Sequence, residues 1–580
     1  MRRRTRRTPK GQTADTALAE LSRIRLAYGP EAAARRRELL AALGGACFAS
    51  AMALLRFHEL LCFFQAFPDD AGTLELADRL LVRFAARPDL RRFRRALEDT
   101  GIAGTDVSLP FYFPTARWLA RLWGPHLTVD WTAFGKKGDL ERLFPLLSLF
   151  AETPGLDEVD LKPAGWTKRL AGPRETDAAF LIRRVDALPV DAFWKEFLYE
   201  SLEMPLRLAP GPGTPSRTLA RLPGVTPVFP RGPLVRSRPD IPREVERPPL
   251  SLRPVEGAAA RLFLDAARAS MVTRQRDLDL FEYASEADVR LADCGGGLSF
   301  AVIGAIPARR LLLEGVYAFL TLKNGVPVGY VLVSALFGSS EVAFNVFESF
   351  RGAEAGLVYG RVLSVTGALF GSDSFTIFPY QLGDGNPEAI ESGAWWFYRK
   401  SGFAPKAKEA VALMRAEEAA ARRRPSHRTP PATLRKLARH NLYFHLGPAR
   451  DDVIGVVELP NVGLRVTDAL AARFGSDRER AARETLGEAR ALLGVRSLDG
   501  FSPGERLAFA RWAPLVTILP GLSRWSAPAR RALVRVIRAK GGLRESDYVR
   551  LFDAHRPLRR AILALATEPA TPATGSHSGR

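Results

Sequence analysis

Val346-Phe347-Glu348-Ser349-Phe350-Arg351-Gly352-Ala353-Glu354-Ala355-Gly356 is the stretch on which the reading of this chain turns. An apolar run over 342–346 ends there, and an Arg-Gly pair follows. Small residues then open a run that sets Val358, Val362, Val365 and Leu369 on one helical face. The pattern is a strand, a tight turn and a helix over 355–370, with Gly371 as its C′ residue. A junction of this kind presents unbonded backbone N–H groups and the positive end of a helix dipole, which together attract anions. Small side chains let a phosphate come close to the backbone.

The neighbouring segments extend the pattern. Residues 316–322 and 328–333 are strand-like runs joined by Lys323-Asn324-Gly325-Val326. Asn-Gly between apolar runs predicts a tight hairpin, because both central residues of a type I′ turn need positive φ. Residues 342–346 form a third strand. Further upstream, Leu262, Ala266 and Ala269 share one face of a helix over 257–271, and 250–253 reads as a first strand. Downstream, 375–378 is another strand. Asn386 and Pro387 then open a helix as N-cap and first helical residue, with Ile390, Ala394, Phe397 and Tyr398 as its buried stripe and Gly402 at its end. This alternation over 251–415 predicts an α/β (α+β) domain with a mixed sheet and flanking helices.

In their order these elements resemble the GNAT superfamily of N-acetyltransferases. In that family a strand ending in Val passes through an aromatic-Arg-Gly turn into a helix opened by Gly-x-Gly or Gly-x-Ala. The loop holds the pyrophosphate of coenzyme A. Val346, Phe350, Arg351, Gly352 and Gly356 fall in step with it, and the chain departs at Glu354, where the family prefers Gly. A second signature (Asn, then Ala-Ile, then Tyr, then Gly-Phe) is matched by Asn386, Ala389, Ile390, Tyr398, Gly402 and Phe403. The interval from Asn386 to Tyr398 is about one helical turn longer than is usual in the family. The hairpin followed by Val328-Gly329-Tyr330 matches the family's second and third strands.

The resemblance implies an acyl-CoA-dependent N-acyltransferase. Acetyl-CoA or another acyl-CoA is the donor, an amine of unknown identity (small molecule or protein) is the acceptor, and no metal takes part. It implies that Val346, Phe347, Arg351, Gly352, Ala353, Ala355, Gly356 and Asn386 border the cofactor and that Tyr398 protonates the leaving thiolate. An amine attacking a thioester also needs a base and donors for the carbonyl oxygen. Glu341 and Glu348, on the strand and its flank, are the candidate bases; each equally fits an exposed strand-end charge. Tyr398 stands beside Trp395, Trp396 and Phe397 and equally fits a core aromatic. Gln381 and Asp384 either line a substrate pocket or make a turn.

Two other readings stand beside this one. A non-catalytic descendant of the same fold, acting as scaffold or binding module, is favoured by Glu354 and the long last helix. A nucleic-acid binder would use the Met-Arg-Arg-Arg-Thr-Arg-Arg start and the basic run over 422–428. Against the latter, the net charge of +21 is spread along an Arg- and Ala-rich chain, and dispersed charge sets solubility more than function.

The remaining sequence bounds the organisation. A length of 580 residues suggests three or four domains at ~100–200 residues each. We expect a basic tail over 1–14, a helical domain over 15–204, a proline-rich linker over 205–250, the α/β domain over 251–415, a helical region over 416–566 and a disordered tail over 567–580. About a quarter of 205–254 is proline, against a usual ~5%, so neither long helix nor central strand can persist there; the segment reads as extended and draped over a neighbour. Helices are expected over 503–513 and 527–538. The most apolar stretch, 46–67, carries Arg56, His58 and Glu59 at its centre, which fits a buried helix and not a membrane span. His58 and Glu59 read as a paired core group. Cys47, Cys62 and Cys294 form no CxxC pair and suggest a reducing compartment. A cytoplasmic protein is the expectation. HExxH, P-loop and GxSxG patterns do not occur.

Overall fold

The computed structural model describes residues 13–276 and 278–567. Three short strands, β1 (Val107–Leu109), β2 (Leu127–Val129) and β3 (Leu206–Leu208), make a small antiparallel sheet with β3 in the middle. The central sheet contains β4 (Ser251–Pro254), β5 (Ala284–Gly295), β6 (Leu298–Ala305), β7 (Gly315–Lys323), β8 (Val326–Leu336), β9 (Ser339–Val346), β10 (Ser374–Ile377), β11 (Ala404–Pro405) and β12 (Leu442–His445). Their order is β11-β12-β10-β9-β8-β7-β6-β5-β4. Neighbours are antiparallel except β9 and β10, which are parallel and joined by the crossover helix Ala355–Phe370. The protein is thus mixed α/β, as the alternation of strand and helix predicts.

Both faces of this sheet are covered. Side chains alternate along each strand, so on β7 Tyr317 and Phe319 enter one core while Ala318 and Leu320 enter the other. The first core is closed by the crossover helix and by Pro503–Ile518, Ala527–Lys540, Glu545–Ala554 and Arg556–Thr567. The second is closed by Ala14–Ile24, Pro30–Gly44, Ala51–Ala66 and Gly257–Val272. A third core lies around β1–β3. The helical flanks therefore share their cores with the sheet. Nor does the sheet end at residue 415: β12 inserts between β10 and β11, a long-range pairing that no local pattern announces. The tails expected at either end lie almost wholly outside the described residues. Among the described residues no helix is long and apolar enough to cross a membrane.

Several local expectations hold. The crossover helix spans Ala355–Phe370 with Gly371 in the left-handed region. Asn324 and Gly325 have φ of 49° and 77°, as the hairpin requires. Asn386 caps Pro387–Ser392, its side chain accepting from the Ala389 N–H. That helix then breaks at Gly393 and restarts as Ala394–Lys400, which accounts for the long interval to Tyr398.

The proline-rich segment is pinned rather than loose. Leu222 N–H donates to the Gly325 carbonyl at 2.9 Å. The buried Asn324 amide donates to the carbonyls of Ala66 (3.0 Å) and Val228 (3.2 Å) and accepts from the Val228 N–H (2.9 Å). Further on, the segment forms a short helix, Ile241–Glu246, which the proline content did not suggest; Pro242 sits in its first turn, where a missing N–H does no harm. It lies along a glycine stripe of the crossover helix. A Cβ on Gly356 would meet the Ser237 carbonyl at 2.8 Å, and one on Gly360 would meet Glu244 Cγ at 3.0 Å.

Asn324→Ala strips three hydrogen bonds from a buried junction and leaves backbone groups unpartnered. A loss of about 2–4 kcal/mol in urea-induced unfolding is expected, together with faster proteolysis over 222–228.

Candidate functional site

Strands β9 and β10 run side by side only briefly. Their pairing runs from Ser339↔Ser374 to Glu341↔Thr376 and stops. Beyond Glu341, β9 stays bonded to β8 as far as Val346↔Gly329, while β10 diverges. The phase of the β8–β9 ladder is set by the Phe347 N–H bonding the Val328 carbonyl at 2.9 Å. By antiparallel alternation, residues 341, 343 and 345 then turn their backbone groups to β8, and Phe344 and Val346 turn theirs into the gap. Arg351 Nε donates to the Val346 carbonyl at 3.3 Å. Among the described residues no strand pairs with the N–H and C=O of Phe344 on that side.

The gap holds a cavity of about 260 Å³ lined by Phe344, Val346, Arg351, Ala355, Asn386 and Tyr398, among others. An aromatic cluster closes its inner end. The Tyr359 ring lies 5.3 Å from that of Phe344, 5.5 Å from Phe397 and 5.4 Å from Tyr398. The Tyr359 hydroxyl is buried with no hydrogen-bond partner among the described residues, an arrangement that costs ~1–3 kcal/mol.

The crossover helix begins beside this cavity. Its first N–H groups lack a carbonyl one turn back, and Glu354 at the N-cap gives no side-chain cap. Glu354 turns inward instead, ion-paired to Lys323 Nζ at 2.7 Å and accepting from the Val235 N–H at 3.2 Å. The carboxylate that departs from the family pattern is thereby neutralised away from the helix N-terminus. Over that N-terminus lies a second cavity, of about 370 Å³, floored by Gly352, Ala353, Ala355 and Gly356 and flanked by Arg236, Arg238 and Lys400. Ala355 and Phe397 line both cavities.

Glu341 stands where the two strands part. Burial, and secondarily the charge of Glu314, pushes its carboxyl up to about 8. Glu314 accepts from Ser334 Oγ at 2.9 Å, and Ser334 is the residue opposite Glu341 on β8. The Tyr398 phenol is raised by burial and then by the Glu341 charge, so at neutral pH the phenol keeps its proton and Glu341 is mostly, not wholly, protonated.

The other expected site residues divide. Arg351 lines the first cavity and forms an ion pair with Glu388, whose carboxyl is held down by that hydrogen bond. Asn386 lines it too, though its amide also donates to the Tyr380 carbonyl at 3.2 Å. Gln381 is part of the lining. Phe347 faces the opposite core, with the Arg274 guanidinium 3.6 Å from its ring centroid. Glu348 is exposed in a short turn outside the cavities. Arg236, Arg238 and Lys400 were not singled out by sequence; the two arginines in the proline-rich segment are brought here only by its docking. His58 is a buried core group, bonding Thr218 Oγ1 at 2.9 Å and adjoining Glu59, which pairs with Arg217. The Cys294 thiol is pushed up by burial, which disfavours the reactive thiolate.

No family model matches this chain, and neither the curated proteins nor the solved structures give a match.

The Glu341 carboxyl lies higher in the folded protein than its ordinary value of 4.5. The folded state therefore holds a proton that the unfolded chain has released, and stability falls as pH rises from about 4.5 to about 8, then levels. Glu341→Gln should flatten this decline when urea midpoints are compared across that range. An unchanged pH profile would show that Glu341 does not titrate in this window.

Proposed function

We propose that this protein is an acyl-CoA-dependent N-acyltransferase, transferring an acyl group, in the first instance acetyl, to an amine. The observation that carries the reading is the adjacency of two features. A strand edge with free backbone groups at Phe344 adjoins an uncapped helix N-terminus at Ala355, and one continuous lining connects them. A long thioester with an anionic far end needs both: a strand edge to bond its amides and an N-terminus to receive its phosphates.

On this reading the acceptor amine attacks the thioester carbonyl. The Phe344 N–H donates to the oxygen as charge develops. The carbon–sulfur bond breaks, and the Tyr398 phenol gives its proton to the departing sulfur. Glu341 lies behind Tyr398 and takes the proton that the amine loses, through water or through Tyr398 itself. A base near pH 8 suits an ammonium acceptor, since proton transfer is most effective when pKa and working pH are close.

A binding module without turnover is the second reading. The aromatic packing of Phe344, Tyr359, Phe397 and Tyr398 against one another in the gap favours it, because these rings take up space that an acceptor would need.

Calorimetry with acetyl-CoA should give saturable binding. Ala355→Asp puts a carboxylate at the first helical position, where it favours the helix by ~0.3–1 kcal/mol while repelling a phosphate. Binding should fall at least about tenfold with no loss of stability. Absence of binding to the wild-type chain at millimolar thioester sinks the proposal. Against a panel of primary amines, thiol release should rise with pH to a plateau above about 8. Tyr398→Phe should lower kcat with KM little changed. Binding without thiol release from any amine selects the second reading.

A further inference from the structure

A third cavity adjoins the first two, sharing Ser392 with the cavity beside Phe344. Its volume is about 820 Å³, and it shares Gly393, Trp396 and Lys400 with the cavity over the helix N-terminus. Its far wall is formed by Arg422 and Arg428, in and just beyond the helix Lys408–Arg423. The basic groups here fall into two sets. Arg399 is bonded to Glu418 at 2.8 Å and His427 to Glu417 at 2.7 Å; these hold the wall together. Lys400, Arg422 and Arg428, like Arg236 and Arg238 next door, have no carboxylate partner among the described residues. Arg428 donates only to its neighbours' carbonyls. Five exposed cations thus line two adjoining cavities without a carboxylate partner, and a concave lining of one sign of charge draws in anions.

The wall also carries a flat, fixed surface. Trp396 is held by its Nε1–H donating to Thr429 Oγ1 at 3.0 Å and by edge-on packing of Trp395 at 4.9 Å. The three adjoining cavities therefore present a bare strand edge, backbone N–H groups, and an indole among guanidinium groups.

We propose that the segments flanking the α/β core recognise the phosphorylated nucleotide end of the carrier, a step that rests on the acyl-CoA reading above. Arg236 and Arg238 take the diphosphate over the helix N-terminus. Lys400, Arg422 and Arg428 take the separate phosphate monoester on the sugar, and the base lies against Trp396. None of these residues except Lys400 and Trp396 belongs to the segment that carries the sequence resemblance. The flanks thus select free coenzyme A over pantetheine thioesters that lack the nucleotide.

Calorimetric titration of the full chain with coenzyme A, 3′-dephospho-coenzyme A and pantetheine tests this. Wild type should prefer coenzyme A to its dephospho form by about 10- to 100-fold, the range for a charged hydrogen-bonded contact. Arg422→Glu with Arg428→Glu should erase that preference and leave the dephospho form unaffected, whereas Arg422→Lys with Arg428→Lys should keep most of it. Arg236→Glu with Arg238→Glu should weaken both nucleotide forms alike and leave pantetheine unchanged. These four arginines are exposed, so urea midpoints should not move. Equal binding of the two nucleotide forms by wild type, or a preference that survives the Arg422 and Arg428 charge reversals, overturns the inference while leaving the acyl carrier reading intact. Failure of wild type to bind any of the three overturns both.

Discussion

Ladder hydrogen bonds normally keep neighbouring strands together along their whole length, and an unpaired buried backbone group is costly. Here β9 and β10 separate after a single short stretch ending at Glu341 and Thr376. What holds them apart is packing. Tyr359 rises from the crossover helix to meet Phe344 on one side and Phe397, Tyr398 and Phe403 on the other. Buried rings of this size each remove a large apolar surface from water, and that gain offsets the hydrogen bonds the two strands forgo. Every later feature of the site depends on this wedge: the free edge at Phe344, the cavity beside it, and the position of Glu341 at the fork, where it loses solvent and holds its proton.

The second constraint is the placing of charge around the helix N-terminus. A carboxylate at the N-cap ordinarily satisfies the first N–H groups and so would occupy an anion's place. Glu354 is drawn off instead by Lys323 and by the Val235 N–H. Lys323 sits at the end of β7, beside the Asn324–Gly325 turn, and the same turn anchors the proline-rich segment at Leu222 and Val228. One hairpin therefore does two jobs: it removes the competing carboxylate and delivers the segment that carries Arg236 and Arg238. The glycine stripe at Gly356 and Gly360 lets that segment lie close enough to the helix to stay there.

What was legible in the sequence was local. The crossover helix, its left-handed Gly371, the Asn324–Gly325 turn and the Asn386 cap each follow from a residue's own conformational preference or from bonds to neighbours a few positions away. Strands β5 and β6 were not read. β5 carries Glu286, Asp288, Arg290 and Asp293, a polar pattern that argues against a sheet interior. The pattern makes sense only with its distant partners: Asp288 accepts from the Tyr317 hydroxyl at 2.5 Å and from the Glu545 N–H at 3.1 Å, and Arg290 donates to Ser546 Oγ at 2.7 Å. The insertion of β12 and the sharing of cores with both helical flanks were hidden for the same reason, since they are contacts between segments far apart in the chain. Of the candidate site, Arg351 and the small residues of the turn stand in one short stretch of sequence, while Tyr398, in the separate helix Ala394–Lys400, is marked only by the family resemblance; all of them line the two adjoining cavities. Phe347 lies just beyond the end of β9 and packs with Val346 into the core on the other face, with Arg274 over its ring, a contact with a distant segment that no local pattern announces.

The flanks bear on why so large a chain surrounds a small α/β unit. A sheet packed on both faces is part of two close-packed cores, which resist compression, and this helps to keep two strands apart without letting the gap collapse. The C-terminal helices brace it through buried polar ties: Lys540 pairs with Glu545 at 2.6 Å and donates to the Glu314 carbonyl at 2.7 Å, just before β7, and Glu545 accepts from the Val316 N–H of β7 at 3.2 Å. Glu314 is also the residue whose charge adds to burial in raising Glu341. The brace and the proton-holding group at the fork thus meet at one residue, Glu314, whose carbonyl takes the Lys540 bond and whose carboxylate faces Glu341.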